Sequence, residues 1–139
     1  MTELEETEYG YRVALADSAD TGDAASLLQE IRRRLRGRTG GEFGVLLDLR
    51  RTSALPAEAQ EVLALSLAHL RRGGMTRQAV VVNSRIILLQ ARHLAREAGA
   101  DEICRYFDSA SQEDWERLAV DWLARSLEPG RTAPEPGEE

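Results

Sequence analysis

Phe43-Gly44-Val45-Leu46-Leu47-Asp48-Leu49 decides how this chain is read. The run is short and apolar, it follows the glycines Gly40 and Gly41, and it gives way to the polar loop Arg50-Arg51-Thr52-Ser53. A run of that length and composition predicts a buried β-strand. Gln78 to Val82 predicts a second, Ile103 to Phe107 a third and Tyr11 to Leu15 an earlier one. Residues 2–8 add an edge strand by hairpin, against a high density of acidic side chains.

Helical spacing fills the gaps between these strands. Ala24, Leu27, Leu28, Ile31 and Leu35 form one stripe that stops at Gly37, with Asp20 or Thr21 available as N-cap. Pro56 suits a first helical position, and that helix runs through Arg72 to Gly73-Gly74. Ser84 opens a third helix that ends at Gly99. Ser111 with Asp114 resembles a capping arrangement for a fourth, whose face holds Trp115, Leu118, Trp122 and Leu123. Apolar strands alternating with such helices predict an α/β fold. The expected architecture is a mostly parallel sheet of four or five strands with four helices, joined by right-handed crossovers.

Composition bounds the rest. The chain has 139 residues, enough for one domain, and is 42% hydrophobic, enough for a core. All 18 basic residues are arginine, against 24 acids. The acidity sits at the ends, in Glu3, Glu5, Glu6 and Glu8 and again in Glu128, Glu135, Glu138 and Glu139. Residues 9–127 hold 17 arginines against 16 acids, so the body is nearly neutral. A near-neutral body argues against a nucleic-acid binder, whose affinity rests on cationic contacts to phosphate. No apolar run is long enough to cross a bilayer, and the N-terminus lacks the form of a secretory signal. The single cysteine, Cys104, and two histidines make no metal-ligand spacing. The expectation is a soluble cytoplasmic domain over 9–127, preceded by an acidic segment at 1–8 and followed by a disordered Pro/Gly/Glu tail at 128–139. No cofactor is expected.

In parallel sheets functional groups gather in the loops that leave the carboxyl ends of the strands. Here those loops are Ala16–Asp23, Asp48–Leu55, Asn83–Arg85 and Asp108–Ser111. Asp48, Arg50, Arg51, Thr52 and Ser53 place one carboxylate, two guanidiniums and two hydroxyls ahead of a helix N-terminus, where an anion can sit. The same composition also describes a polar loop that satisfies its own backbone. Asn83, Ser84 and Arg85 stand at the next strand end, where capping accounts for the amide and the hydroxyl. His69 and His93 lie on helices away from the strand ends, and Cys104 reads as a packing residue. The arginines between Arg32 and Arg38 read as a solvated helix end meeting the acidic tails. No glycine-rich phosphate loop opens a helix, and no catalytic set emerges. The second and third helices carry more apolar residues than one stripe needs. Leu65, Ile86, Leu88 and Leu89 point away from the main faces, and surplus apolar surface marks a partner or a pocket.

The order of these pieces resembles the STAS/SpoIIAA-like superfamily, best known from bacterial anti-sigma factor antagonists. The resemblance is carried by Val45-Leu46-Leu47-Asp48-Leu49, by the helix ending Leu70-Arg71-Arg72-Gly73-Gly74, by Ala79-Val80-Val81-Val82, and by Ala98 to Ser109 before the Trp115–Leu127 helix. The antagonist branch opens its second helix with an Asp-Ser-Ser-Gly motif whose serine is phosphorylated. Here the region reads Ser53-Ala54-Leu55-Pro56-Ala57-Glu58, so that role does not transfer; Thr52 and Ser53 are only the nearest hydroxyls. The resemblance is closer to the divergent SpoIIAA-like group, which shares its fold with lipid-binding CRAL-TRIO-type domains. It implies a non-catalytic, regulatory domain acting on a protein partner or as a homodimer. The alternative is a small ligand, nucleotide or lipid, at the strand ends.

Overall fold

The computed structural model describes residues 2–16, 20–38 and 40–130. The chain opens with a hairpin of β1 (Thr2–Glu6) and β2 (Gly10–Leu15), followed by α1 (Thr21–Arg36). It continues through β3 (Phe43–Asp48), α2 (Ala57–Arg72), β4 (Met75–Val82) and α3 (Arg85–Glu97). A short 3-10 turn at Asp101–Ile103 then leads into β5 (Cys104–Asp108) and α4 (Trp115–Arg125). The five strands lie in the order β1-β2-β3-β4-β5. β1 is antiparallel to β2 and every other pair is parallel. The α/β architecture with four helices and a mostly parallel sheet is therefore as expected. The acidic segment at the start does form the edge strand.

Strand order advances one step at a time, so crossovers of one hand stack their helices on one face. α1, α2 and α3 accordingly share a single large core with the sheet. In it Val13, Leu15, Val45, Leu47, Val80 and Val82 meet Leu27, Ile31, Leu63, Leu67, Ile87 and Leu94. α4 alone covers the other face, where Leu46, Ala79, Val81 and Phe107 pack on Trp115, Ala119, Trp122 and Leu123. All six residues of β3 are buried, because the strand is central and covered on both sides. α4 contacts β3, β4 and β5, which leaves the opposite side of β1 and β2 to polar side chains.

Local chemistry sets the element ends. Asp20 is the N-cap of α1 in a reciprocal capping box: Asp23 N–H donates to Asp20 Oδ1 at 2.9 Å and Asp20 N–H to Asp23 Oδ2 at 3.1 Å. Ser84 Oγ accepts from Ile87 N–H at 3.2 Å and starts α3. Pro56 stands at the N-cap of α2, just outside the helix, with no side-chain cap. The expected Ser111–Asp114 box is a correction. Asp108 instead accepts from Ala110 N–H and Ser111 Oγ, and Gln112 Oε1 accepts from Asp108 N–H.

Both acidic ends meet arginines. Arg34 on α1 pairs with Glu6 at 3.3 Å, and Arg105 on β5 pairs with Glu128 at 2.6 Å. From residue 131 the expected tail lies outside the described residues, as does 17–19 of the first strand-end loop. No helix among the described residues is long and apolar enough to cross a membrane.

Candidate functional site

Asp48 is the last residue of β3 and shares the α4 face with Leu46, so its carboxylate lies under neighbouring side chains, 8% exposed. Arg12 reaches it from β2, with Nη2 2.6 Å from Oδ2. Arg50 folds back on it three times: backbone N–H to Oδ1 at 3.0 Å, Nε to Oδ1 at 3.0 Å and Nη2 to Oδ2 at 2.8 Å. The i to i+2 backbone bond is an Asx turn that ends the strand. The Arg50 guanidinium also lies 4.7 Å over the Trp115 ring at the start of α4. Burial pushes the Asp48 carboxyl upward, but the Arg50 side-chain and backbone bonds and the Arg12 bond more than offset it. The group sits below the usual carboxylate range. A carboxylate with four donors and a lowered pKa is a poor proton acceptor, and its two strongest anion-binding neighbours are already occupied.

The other expected residues separate into different roles. Thr52 is buried, with Oγ1 donating to the Leu15 carbonyl at 3.2 Å, so it ties the loop to β2. Arg51 is exposed and lines a cavity of about 150 Å³ with Glu3, Ala14, Leu15, Ala16 and Asp48. Ser53 is exposed. Asn83 is exposed and accepts from Ser109 Oγ at 3.4 Å, while Ser84 is used as the α3 cap. Arg85 is the exposed first residue of α3. Asp48 with Arg50 thus belongs to a latch between β2, β3 and α4, and Asn83 belongs to a turn with the end of β5.

The loop before α2 is bound to α3 through Gln90. Its Oε1 accepts from Leu55 N–H at 3.0 Å and its Nε2 approaches the Leu55 carbonyl at 3.5 Å. Sequence reasoning missed Gln90, Arg12 and Trp115 as partners. Arg12 had one usable signal: it interrupts the apolar positions of β2 with period two, marking the second sheet face.

A cavity of about 460 Å³ opens at the far end of the sheet, between the β1–β2 turn and the end of α1. Arg33, Arg34 and Arg38 line it together with Glu6, Glu8 and Glu42. Arg33 and Arg34 bind Glu30. Arg38 lies 4.5 Å over the Phe43 ring and donates to Tyr11 Oη and to the Gly40 and Gly41 carbonyls. Its charges are largely matched internally.

On the outer surface, Leu65, Ile86 and Leu89 are 52%, 62% and 50% exposed. Leu88 is a correction. It is buried, because Ile87, Leu88, Ala91, Arg92, Leu94 and Ala95 form a wide stripe that packs down on the sheet. Cys104 is buried, and burial pushes its thiol up to about 12. Among the described residues no group of His, Cys, Asp and Glu is placed to hold a metal. Comparison with protein-family models and with curated protein sequences finds no significant match to this chain.

Proposed function

We propose that the chain is a non-catalytic, cytoplasmic protein-interaction domain of the SpoIIAA-like kind, acting through the outer surface of α2 and α3 in a regulatory role. The observation that carries this reading is the exposure of Leu65, Ile86 and Leu89 on two adjacent helices whose inner faces are already filled. Large apolar side chains on one side of a molecule bury favourably against a partner, each contributing about 0.75–1.5 kcal/mol when the half still open to solvent is covered. The strand-end polar groups support the same reading. Asp48, Arg12 and Arg50 are committed to one another, and the cavity beside them is about 150 Å³. That is below the roughly 300 Å³ at which small-molecule sites begin. Kinship with the SpoIIAA-like group is part of the proposal, supported by the strand and helix order and by the central Leu-Leu-Asp-Leu strand.

Affinity capture from lysate tests it, comparing the wild type with Ile86→Glu and Leu89→Glu. The reading expects specific partners on the wild type that both variants lose, with circular dichroism unchanged. Equal capture by all three contradicts it.

A further inference from the structure

The occupant of this surface is legible in its charges. The outer face of α2 carries Glu58 and Glu61, which make no ion pair among the described residues. The outer face of α3 carries Arg85, His93 and Arg96 beside Ile86 and Leu89; its one acid, Glu97, is taken by His93 at 2.9 Å. Arg96 is 60% exposed, and its nearest acid, Asp101, is 3.9 Å away. The first half of α2 is therefore acidic on its solvent side and α3 is basic, while the exposed Arg71 and Arg72 in the last turn of α2 lie past the level at which α3 ends.

Both helices return between parallel neighbours, β3 to β4 and β4 to β5, so they run side by side in the same direction. A two-fold axis along that direction sets α2 of one copy on α3 of the other, twice, with residues of equal height facing each other. A two-fold axis across the helices would instead set α2 on α2 and acid on acid. Height is fixed by the bonds between Leu55 and Gln90, which place the start of α2 beside the middle of α3. Glu58 and Glu61 follow Leu55 by three and six residues, about 4.5 and 9 Å along a helix, and so stand level with the His93–Arg96 half of α3. Ile86 and Leu89 stand nearer the exposed Pro56 and Ala57. Acid then meets base in the same arrangement and Leu89 lies by Pro56 and Ala57, while Leu65, about 15 Å past Leu55, stands beyond the end of α3 and outside this contact.

We infer that this face is occupied by a second copy of the chain, in a two-fold dimer with α2 on α3. The inference rests on the proposal that the α2–α3 face is the contact surface and names its partner. Opposite potentials steer such a contact and fix its register.

Sedimentation velocity over a wide concentration range tests it, with Glu61→Arg, Arg96→Glu and their equimolar mixture beside the wild type. Each substitution alone sets like charges together at both symmetry-related contacts and weakens the dimer about tenfold. In the mixture the new arginine faces the new glutamate and the native pair is kept, so the mixed dimer returns to wild-type strength. A wild type that stays monomeric throughout overturns the second copy while leaving the surface to the capture test above. A dimer that neither substitution weakens, or a mixture no stronger than either variant alone, overturns the α2-on-α3 arrangement itself. Circular dichroism of each variant confirms that the fold is intact.

Discussion

Asp48 ends the central strand with its carboxylate out of water and accepts hydrogen bonds from two arginines on different elements. Because its folded pKa is lowered, it stabilises the fold above the unfolded value near 4 and loses that contribution as pH falls through the folded value. Asp48→Asn should flatten the acid limb of a stability profile. Because Arg12 and Arg50 are partly solvated, it should lower stability at neutral pH by about 2 kcal/mol in urea titrations. Gln78 makes the opposite case. It is fully buried in β4, and neither its amide oxygen nor its nitrogen has a hydrogen-bond partner among the described residues. Gln78→Met should therefore raise stability by about 1 kcal/mol, since it removes the desolvated amide and keeps the volume. A loss of stability would contradict that assignment. Cys104, buried and with its thiol pushed up to about 12, should resist alkylation in the native state at mildly alkaline pH and react once the chain is unfolded.

α4 depends on close backbone contact. Gly44 in β3 lies under Leu123, and a Cβ there would come within 3.1 Å of Leu123 Cδ2. On the other side Gly10, at φ +147, faces Gly44 so closely that a Cβ would meet its carbonyl oxygen at 2.1 Å. Gly10→Ala should therefore destabilise by about 2 kcal/mol or more in thermal or urea unfolding, through both strain and clash. Most elements could be read from the sequence because period and composition agree. The unbroken Val45–Leu49 run is a strand covered on both faces, and the Ala24–Leu35 stripe is a helix facing one core. The failures have specific causes. β4 begins at Met75, three residues before the expected start at Gln78, which Thr76 and Arg77 hide because they look polar, although Arg77 reaches the Leu123 carbonyl at 3.2 Å. Leu88 looked external because one narrow stripe was assumed for a helix that buries a wide one. At the candidate site Asp48 with Arg50 was visible within one loop. Arg12 and Gln90 were not, since they lie 36 and 35 residues away in sequence from the groups they bind.

The whole molecule has two unequal sides. One face of the sheet carries three helices over the main core, and the other carries α4, held by Trp115 and Trp122 under the arginines Arg50 and Arg105. The α4 side is held by internal bonds, with Trp122 Nε1 donating to the Gln78 carbonyl at 3.0 Å and Arg105 clamped by Glu128, and exposes one large apolar side chain, Leu127 just past α4. The three-helix side ends instead in solvent-facing Ile86 and Leu89, beside Glu58 and Glu61 on α2, which make no ion pair among the described residues. That asymmetry is the basis for assigning contact to α2 and α3. Photo-crosslinking in cells tests it most directly, with benzoyl-phenylalanine placed at Leu89 on α3 or at the exposed Glu116 on α4. The account predicts a discrete protein adduct from position 89 and none from position 116; adducts from 116 with none from 89 would contradict it.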